Sequence, residues 1–100
     1  KQLIMAGVVT DVCVAFPTLA ALKEGYQVFV VADASGTFNK QVADASLIRM
    51  ANAGAVITNW FAVACELQRD WRKNGEGLAN LLANHLPAYK NLITSHNAKK

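Results

Sequence analysis

Residues Gln27–Ala32 read QVFVVA, an apolar stretch rich in β-branched side chains that predicts a buried strand. Two further short apolar runs, Gln2–Ala6 and Ala55–Thr58, predict strands before and after it in the chain. Helical stretches over Val14–Lys23 and Lys40–Ala53 separate the three runs. Strands that alternate with helices are typical of a parallel sheet with right-handed crossovers. Because all three runs are apolar on both faces, the sequence predicts an α/β fold with helices on both sides of the sheet.

Side-chain caps and glycines mark the expected ends of the helices. Asn39 and Asn59 are predicted to cap the helices that follow them, and Gly54 to end the first of these. Between the second strand and Asn39, the segment Asp33–Phe38 predicts a loop. After the last strand we expect three helices, over Trp60 to about Trp71, Glu76–Asn84 and Pro87 to about Ser95.

The composition is more apolar than is usual for a soluble domain of 100 residues, with 53% hydrophobic and 17% charged residues. The predicted strand containing Leu3–Ala6 would present an uncharged edge, which natural sheets usually pair or cover. The chain also begins with Lys1. We therefore expect residues 1–100 to be a piece of something larger, or a subunit with wide interfaces.

The net charge of +3 comes from the chain ends, because Lys1, Lys99 and Lys100 account for the excess of Lys and Arg. No basic stripe lies inside the chain, so nucleic acid is not an expected partner. No apolar run approaches the length of about 20 residues that spans a bilayer, so a membrane is not expected either. The two cysteines, Cys13 and Cys65, have no repeated spacing and predict reduced thiols in a cytoplasmic protein.

Gly7–Cys13, GVVTDVC, joins a predicted strand to a predicted helix. Ligands of open parallel sheets bind beyond the carboxyl ends of the strands, where Cys13 is expected. A helix N-terminus favours an anion, and it therefore favours a reactive thiolate and could also bind an oxyanion. The alternative is that Cys13, flanked by valines, is a small buried hydrophobic residue.

Four stretches of the sequence resemble the isochorismatase-like cysteine hydrolase superfamily, and in particular its YcaC-type subgroup. They are GVVTDVCV at 7–14, FVVADASGTF at 29–38, NWFAVACELQRDW at 59–71 and NHLPAYKNL at 84–92. The resemblance covers essentially all of the chain and implies that residues 1–100 are the C-terminal part of a single isochorismatase-like hydrolase domain. It implies a three-layer α/β/α (Rossmann-like) parallel sheet, of which this chain supplies about three strands and the C-terminal helices.

The resemblance also implies a catalytic site. Cys13 matches the nucleophile of an Asp, Lys and Cys triad, whose Asp and Lys lie outside this sequence. The N–H groups of Val9 and Cys13 are implied as the oxyanion hole, with a cis peptide bond between Val8 and Val9. The implied function is hydrolysis of an amide or related C–N bond in a small molecule through a thioester. A homo-oligomer and no cofactor are expected.

Two other functions remain open: a non-catalytic oligomeric assembly protein with the same fold, or a redox-sensing thiol protein. Asp11 is expected to cap its helix or interact with the helix dipole, and Asp33 to bond the turn backbone of Ser35 or Gly36. Cys65 lies in an apolar helical pattern and predicts packing.

Single histidines, His85 and His96, do not predict a metal site, because no second ligand follows either at helical spacing. Three aromatic residues, Trp60, Phe61 and Trp71, predict core packing, with a subunit interface as the alternative.

Overall fold

A computed structural model describes residues 1–99 of the chain. Three strands alternate with helices, and three helices follow the last strand. The strands are β1 (Gln2–Val8), β2 (Gln27–Gly36) and β3 (Val56–Thr58), and the α-helices are α1 (Ala15–Lys23), α2 (Lys40–Asn52), α3 (Trp60–Gln68), α4 (Gly75–His85) and α5 (Pro87–Ala98). A short π-helix over Thr10–Val14 joins β1 to α1. The predicted α/β fold is confirmed.

The chain divides into two compact units, Lys1–Val63 and Ala64–Lys100. In the first unit the strands form one parallel sheet in the order β1-β2-β3, with β2 in the centre. Its core lies where α1, α2 and the π-helix pack on the sheet. The core consists of short aliphatic side chains and one methionine, all nearly inaccessible to solvent. These residues are Val14, Ala15, Val28, Val30, Met50 and Ala55.

The ends of β1 and β2 differ from the sequence prediction. β1 continues to Val8, two residues beyond the predicted end at Ala6, and β2 continues to Gly36 through the segment predicted to be a loop. The register shifts between Met5 and Gly7, after which Gly7 pairs with Ser35. Between the pairs Met5–Val30 and Gly7–Ser35, β2 has more residues than β1, so this part of β2 is irregular. The polar composition of that segment hid this second stretch of pairing.

Capping side chains set the starts of two helices as predicted. Asn39 accepts a hydrogen bond from the N–H of Val42 at 2.9 Å, at the start of α2. Asn59 accepts one from the N–H of Ala62 at 2.8 Å, at the start of α3. The predicted end of α3 at about Trp71 is wrong, because Arg69 has a φ of 68° and turns the chain into the left-handed region.

The second unit contains α4 and α5. Asn74, with a φ of 55°, precedes α4, and its side chain accepts a hydrogen bond from the N–H of Gly77 at 3.2 Å. A Cβ at Gly77 would lie 2.5 Å from the Asn74 amide, so a larger residue there would displace this capping side chain. Leu78 and Leu82 are the buried residues of α4. The helix α5 begins at Pro87 as predicted and extends to Ala98, three residues beyond the expected end.

Candidate active site at the carboxyl end of β1

The π-helix presents Cys13 to solvent directly after β1. Thr10 and Val14 are buried and fix this helix against the rest of the unit, while Cys13 is exposed between them. A π-helical turn is rare, and such turns are frequent at functional sites. Pro17 follows as the third residue of α1, in the first turn, where a missing N–H costs little. Cys13 therefore lies between a strand and a helix, as predicted.

Backbone hydrogen bonds define the turn around Cys13. The carbonyl oxygen of Val9 accepts from the N–H of Val12 at 3.3 Å and from the N–H of Val14 at 3.1 Å. The second of these is the first hydrogen bond with π-helical spacing, and the N–H of Cys13 precedes it in the chain. At the N-terminus of any helix, the leading N–H groups lack partners within the helix and can bind an anion. The peptide bond between Val8 and Val9 is cis, where the resemblance implies one.

Asp11 does not cap the π-helix, which has no side-chain cap. Its carboxylate Oδ1 instead accepts a hydrogen bond from the hydroxyl of Thr37 at 2.7 Å. The capping prediction for Asp11 is therefore wrong, although its position in the first turn still suits the helix dipole. Thr37, which follows β2, was missed in the sequence, because nothing local indicates a partner 26 residues away.

Two further polar side chains fasten the end of β2 to its neighbours. The Ser35 hydroxyl oxygen accepts from the N–H of Gly7 at 3.3 Å, and the same hydroxyl donates to the carbonyl of Val31 at 2.8 Å. Asp33 was expected to bond the turn backbone nearby. It instead accepts from the N–H of Trp60 at 2.8 Å and so holds the first turn of α3. Its role is structural, as expected, but its partner is the first residue of α3 and not the turn backbone.

Cys65 is half-buried on α3, and both cysteines are free thiols. Within residues 1–99, no group of three or more His, Cys, Asp and Glu side chains is arranged to hold a metal ion. None of the helices in this described part of the chain has the length and apolar character needed to cross a bilayer. Asp11 and Asp33 are each already engaged in the hydrogen bonds described above.

Comparison with known proteins places this chain in a family. Residues 1–61, which include the whole π-helix and all three strands, match the isochorismatase domain. The chain is 60% identical over 96 residues to the probable hydrolase YcaC of Escherichia coli strain K12, covering 96% of this chain and 46% of the relative. It is also 36% identical over 70 residues to isochorismatase family protein 2B of Dictyostelium discoideum, covering 70% of this chain and 33% of that protein.

Solved structures agree with the sequence comparisons. The YcaC gene product of Escherichia coli, described as an octameric hydrolase of unknown specificity, superposes with a TM-score of 0.91 at 58% identity, covering 100% of this chain and 49% of that one. YcaC from Pseudomonas aeruginosa, solved with hexane-2,5-diol and covalent acrylamide, gives 0.90 at 66% identity, covering 97% of this chain and 48% of that one. The chain spans about half the length of these YcaC proteins. It belongs to the isochorismatase family and is similar to YcaC-type hydrolases along nearly its whole length.

Proposed function

We propose that this chain carries the nucleophile of a cysteine hydrolase that cleaves amide or related C–N bonds in small molecules. The observation that carries the proposal is the exposed thiol of Cys13 in the first turn of a helix at the carboxyl end of a parallel strand. Ligands of such sheets bind at that end. The position also lies inside the segment that matches the isochorismatase domain. Cys65 is less exposed and lies outside that segment.

The proposed reaction is nucleophilic substitution at a carbonyl carbon. A base takes the proton of Cys13, and the sulfur forms a bond to the carbonyl carbon of the amide. The C–N bond then breaks, and the amine leaves with a proton, which gives a thioester. Water attacks the thioester and releases a carboxylate and the Cys13 thiol. The Asp and Lys partners that the family resemblance implies are outside residues 1–100, so we assign neither role to Asp11 or Asp33.

The N–H groups of Val9 and Cys13 are the proposed oxyanion hole. Support comes from their place in the turn, since Val9 precedes the π-helix and the Cys13 N–H comes before its first π-helical hydrogen bond. Such leading N–H groups stabilise negative charge where it develops on the carbonyl oxygen. Removing one oxyanion donor from a hydrolase typically lowers kcat by about 100- to 1,000-fold.

Covalent acrylamide in the Pseudomonas aeruginosa relative supports a reactive nucleophile in this type of protein. Acrylamide is both a small primary amide and an acceptor for thiolates. A Cys13 thiolate would form an S–C bond to its terminal alkene carbon, and the carbon next to the carbonyl would take a proton. Because the amide survives this addition, acrylamide is a useful trap for the proposed nucleophile and a mimic of the proposed substrate class.

Substitution of Cys13 tests the proposal. In the intact protein, assayed against a panel of small primary amides for ammonia release, Cys13→Ala should abolish hydrolysis. The fold should persist because the side chain is exposed and its removal leaves no core cavity. Cys65→Ala is the matched control and should retain activity. Hydrolysis by Cys13→Ala at the unaltered rate would refute the assignment.

We further propose a homo-oligomer, because large apolar side chains lie at the surface of the first unit and a similar protein is octameric. These residues include Val8, Val12, Phe16, Phe38 and Ile48. Light scattering of the intact protein tests this, and a monomer at micromolar concentration would refute it. A cytoplasmic location is proposed from the two free thiols, because oxidising compartments favour disulfides.

A further inference from the structure

The hydrogen bond between Thr37 and Asp11 closes a small ring of backbone next to Cys13. At one end of the ring, Val8 on β1 pairs with Gly36 on β2. At the other end, Thr37 Oγ1 donates to Asp11 Oδ1 at 2.7 Å, in a partly buried position. The backbone of Val9, one of the two proposed oxyanion donors, is part of this ring because it lies between the two attachments. A segment held at both ends has fewer conformations than one held only by its strand.

Ser35 reinforces the strand end of this ring. Its hydroxyl accepts from the N–H of Gly7 and donates to the carbonyl of Val31, so it bridges β1 and the irregular part of β2. The Ser35 hydroxyl therefore holds the carboxyl ends of β1 and β2 together just before the π-helix begins. Thr37 lies two residues beyond Ser35 and extends the same attachment to the π-helix itself.

Asp11 attaches the π-helix to Thr37, and this attachment leaves the Cys13 side chain exposed. Side chains two residues apart on a helix do not face each other, so Asp11 and Cys13 project in different directions. The carboxylate is bound to Thr37, while the Cys13 side chain remains exposed.

We infer that Asp11 and Thr37 form a positioning pair that fixes the Cys13 turn against the end of β2. The inference rests on the proposed role of Cys13 as the nucleophile. Both residues act through the backbone of the turn and not on the reacting atoms. Their effect is to keep the leading N–H groups of the turn, and with them the positive end of its dipole, aligned with the thiolate. Loss of this alignment lowers the reactivity of Cys13 while the sheet and the core remain in place.

The rate of acrylamide addition to Cys13 in the intact protein tests the pair, read by peptide mass spectrometry with Cys65 as the internal reference. Thr37→Val keeps the side-chain shape but removes the hydroxyl, and we expect about two- to fivefold slower addition at Cys13, the size of a helix-terminus interaction. Asp11→Ala should slow it by a similar factor. The double variant should be no slower than either single variant, because both remove one interaction.

Conservative and structural controls separate positioning from general stability. Thr37→Ser keeps the hydroxyl and should restore the unaltered rate. Ser46→Ala removes a hydroxyl that bonds the Val42 carbonyl inside α2, and it should lower stability without changing Cys13 labelling. A Thr37→Val rate equal to that of the unaltered protein, or a Thr37→Ser rate as low as that of Thr37→Val, would overturn the pair. If Cys13 in the unaltered protein reacts no faster than Cys65, the proposed role of Cys13 as the nucleophile is refuted. The rates of the Thr37 and Asp11 variants relative to the unaltered protein still show whether the pair positions the Cys13 turn.

Discussion

Gly7 and Gly36 lie near the carboxyl ends of the neighbouring strands β1 and β2 and differ in backbone conformation, so the same substitution should destabilise the protein at Gly7 but not at Gly36. Gly7 has a φ of +139°, which side chains other than glycine rarely adopt. Gly36 belongs to β2, and its φ lies outside the range that L-residues avoid. A methyl group at Gly7 would meet no other described atom within 4 Å, so crowding makes no contribution there. At Gly36 the methyl would lie 3.9 Å from Val8 Cγ1, an ordinary contact.

The magnitudes follow from these two conformations. An L-residue in a sparsely populated backbone region costs about 1–3 kcal/mol. Replacing glycine by alanine also removes unfolded-state entropy, which stabilises by about 0.4–1 kcal/mol where the native conformation is compatible. Gly7→Ala should therefore destabilise by roughly 0.5–2 kcal/mol, the difference between these opposing effects. Gly36→Ala should be neutral or stabilise by up to about 1 kcal/mol.

Thermal unfolding of the intact protein, followed by circular dichroism, separates the two variants. A free-energy change of 1 kcal/mol moves the Tm by about 2–4 °C in a protein of 150–250 residues. Because the entropy gain is common to both variants, they differ by the backbone cost alone, and we expect Gly7→Ala to melt roughly 2–12 °C below Gly36→Ala. Equal melting temperatures, or a more stable Gly7→Ala, would show that the left-handed backbone at Gly7 does not govern stability as argued.

Two further predictions concern the core of the first unit. Met50→Ala should destabilise by about 2–5 kcal/mol, because Met50 is 0% exposed and leaves a cavity, whereas Gln41→Ala on the same helix should cost much less, as Gln41 is exposed and polar. Urea midpoints of the intact protein check this, and equal losses would contradict it. Thr18→Val should raise the melting temperature, because within residues 1–99 the fully buried Thr18 hydroxyl has no hydrogen-bond partner and such a group costs about 1–3 kcal/mol. A lower melting temperature for Thr18→Val would show that the hydroxyl does have a stabilising partner.

Local patterns in the sequence predicted much of the fold. Three apolar runs gave the strands, and Asn39 and Asn59 gave the starts of α2 and α3, because capping depends on residues three positions away. The end of α3 was not predictable in this way. The left-handed conformation of Arg69 has no signature in that residue type, since arginine normally continues a helix.

The polar contacts of the candidate site were harder to predict than its location. The location of Cys13 at the carboxyl end of a strand was predictable, because in the sequence it follows an apolar run and precedes a helical stretch. The partners of Asp11 and Asp33 did not, because Thr37 and Trp60 are 26 and 27 residues away from them in the chain. Such pairs form only after the strands align, so their identity depends on register and on the irregularity in β2. Local reasoning assigned both aspartates to turns and caps instead.

The most direct test of the central claim is to detect the acyl group on Cys13 during turnover. The intact protein is mixed with the best small amide from the substrate panel, quenched in acid within the steady state, and digested for peptide mass spectrometry. The proposed thioester predicts the acyl mass on the peptide that contains Cys13, its absence from the Cys65 peptide, and its loss on treatment with hydroxylamine. Continued hydrolysis in Cys13→Ser together with no acyl group on Cys13 would contradict the account.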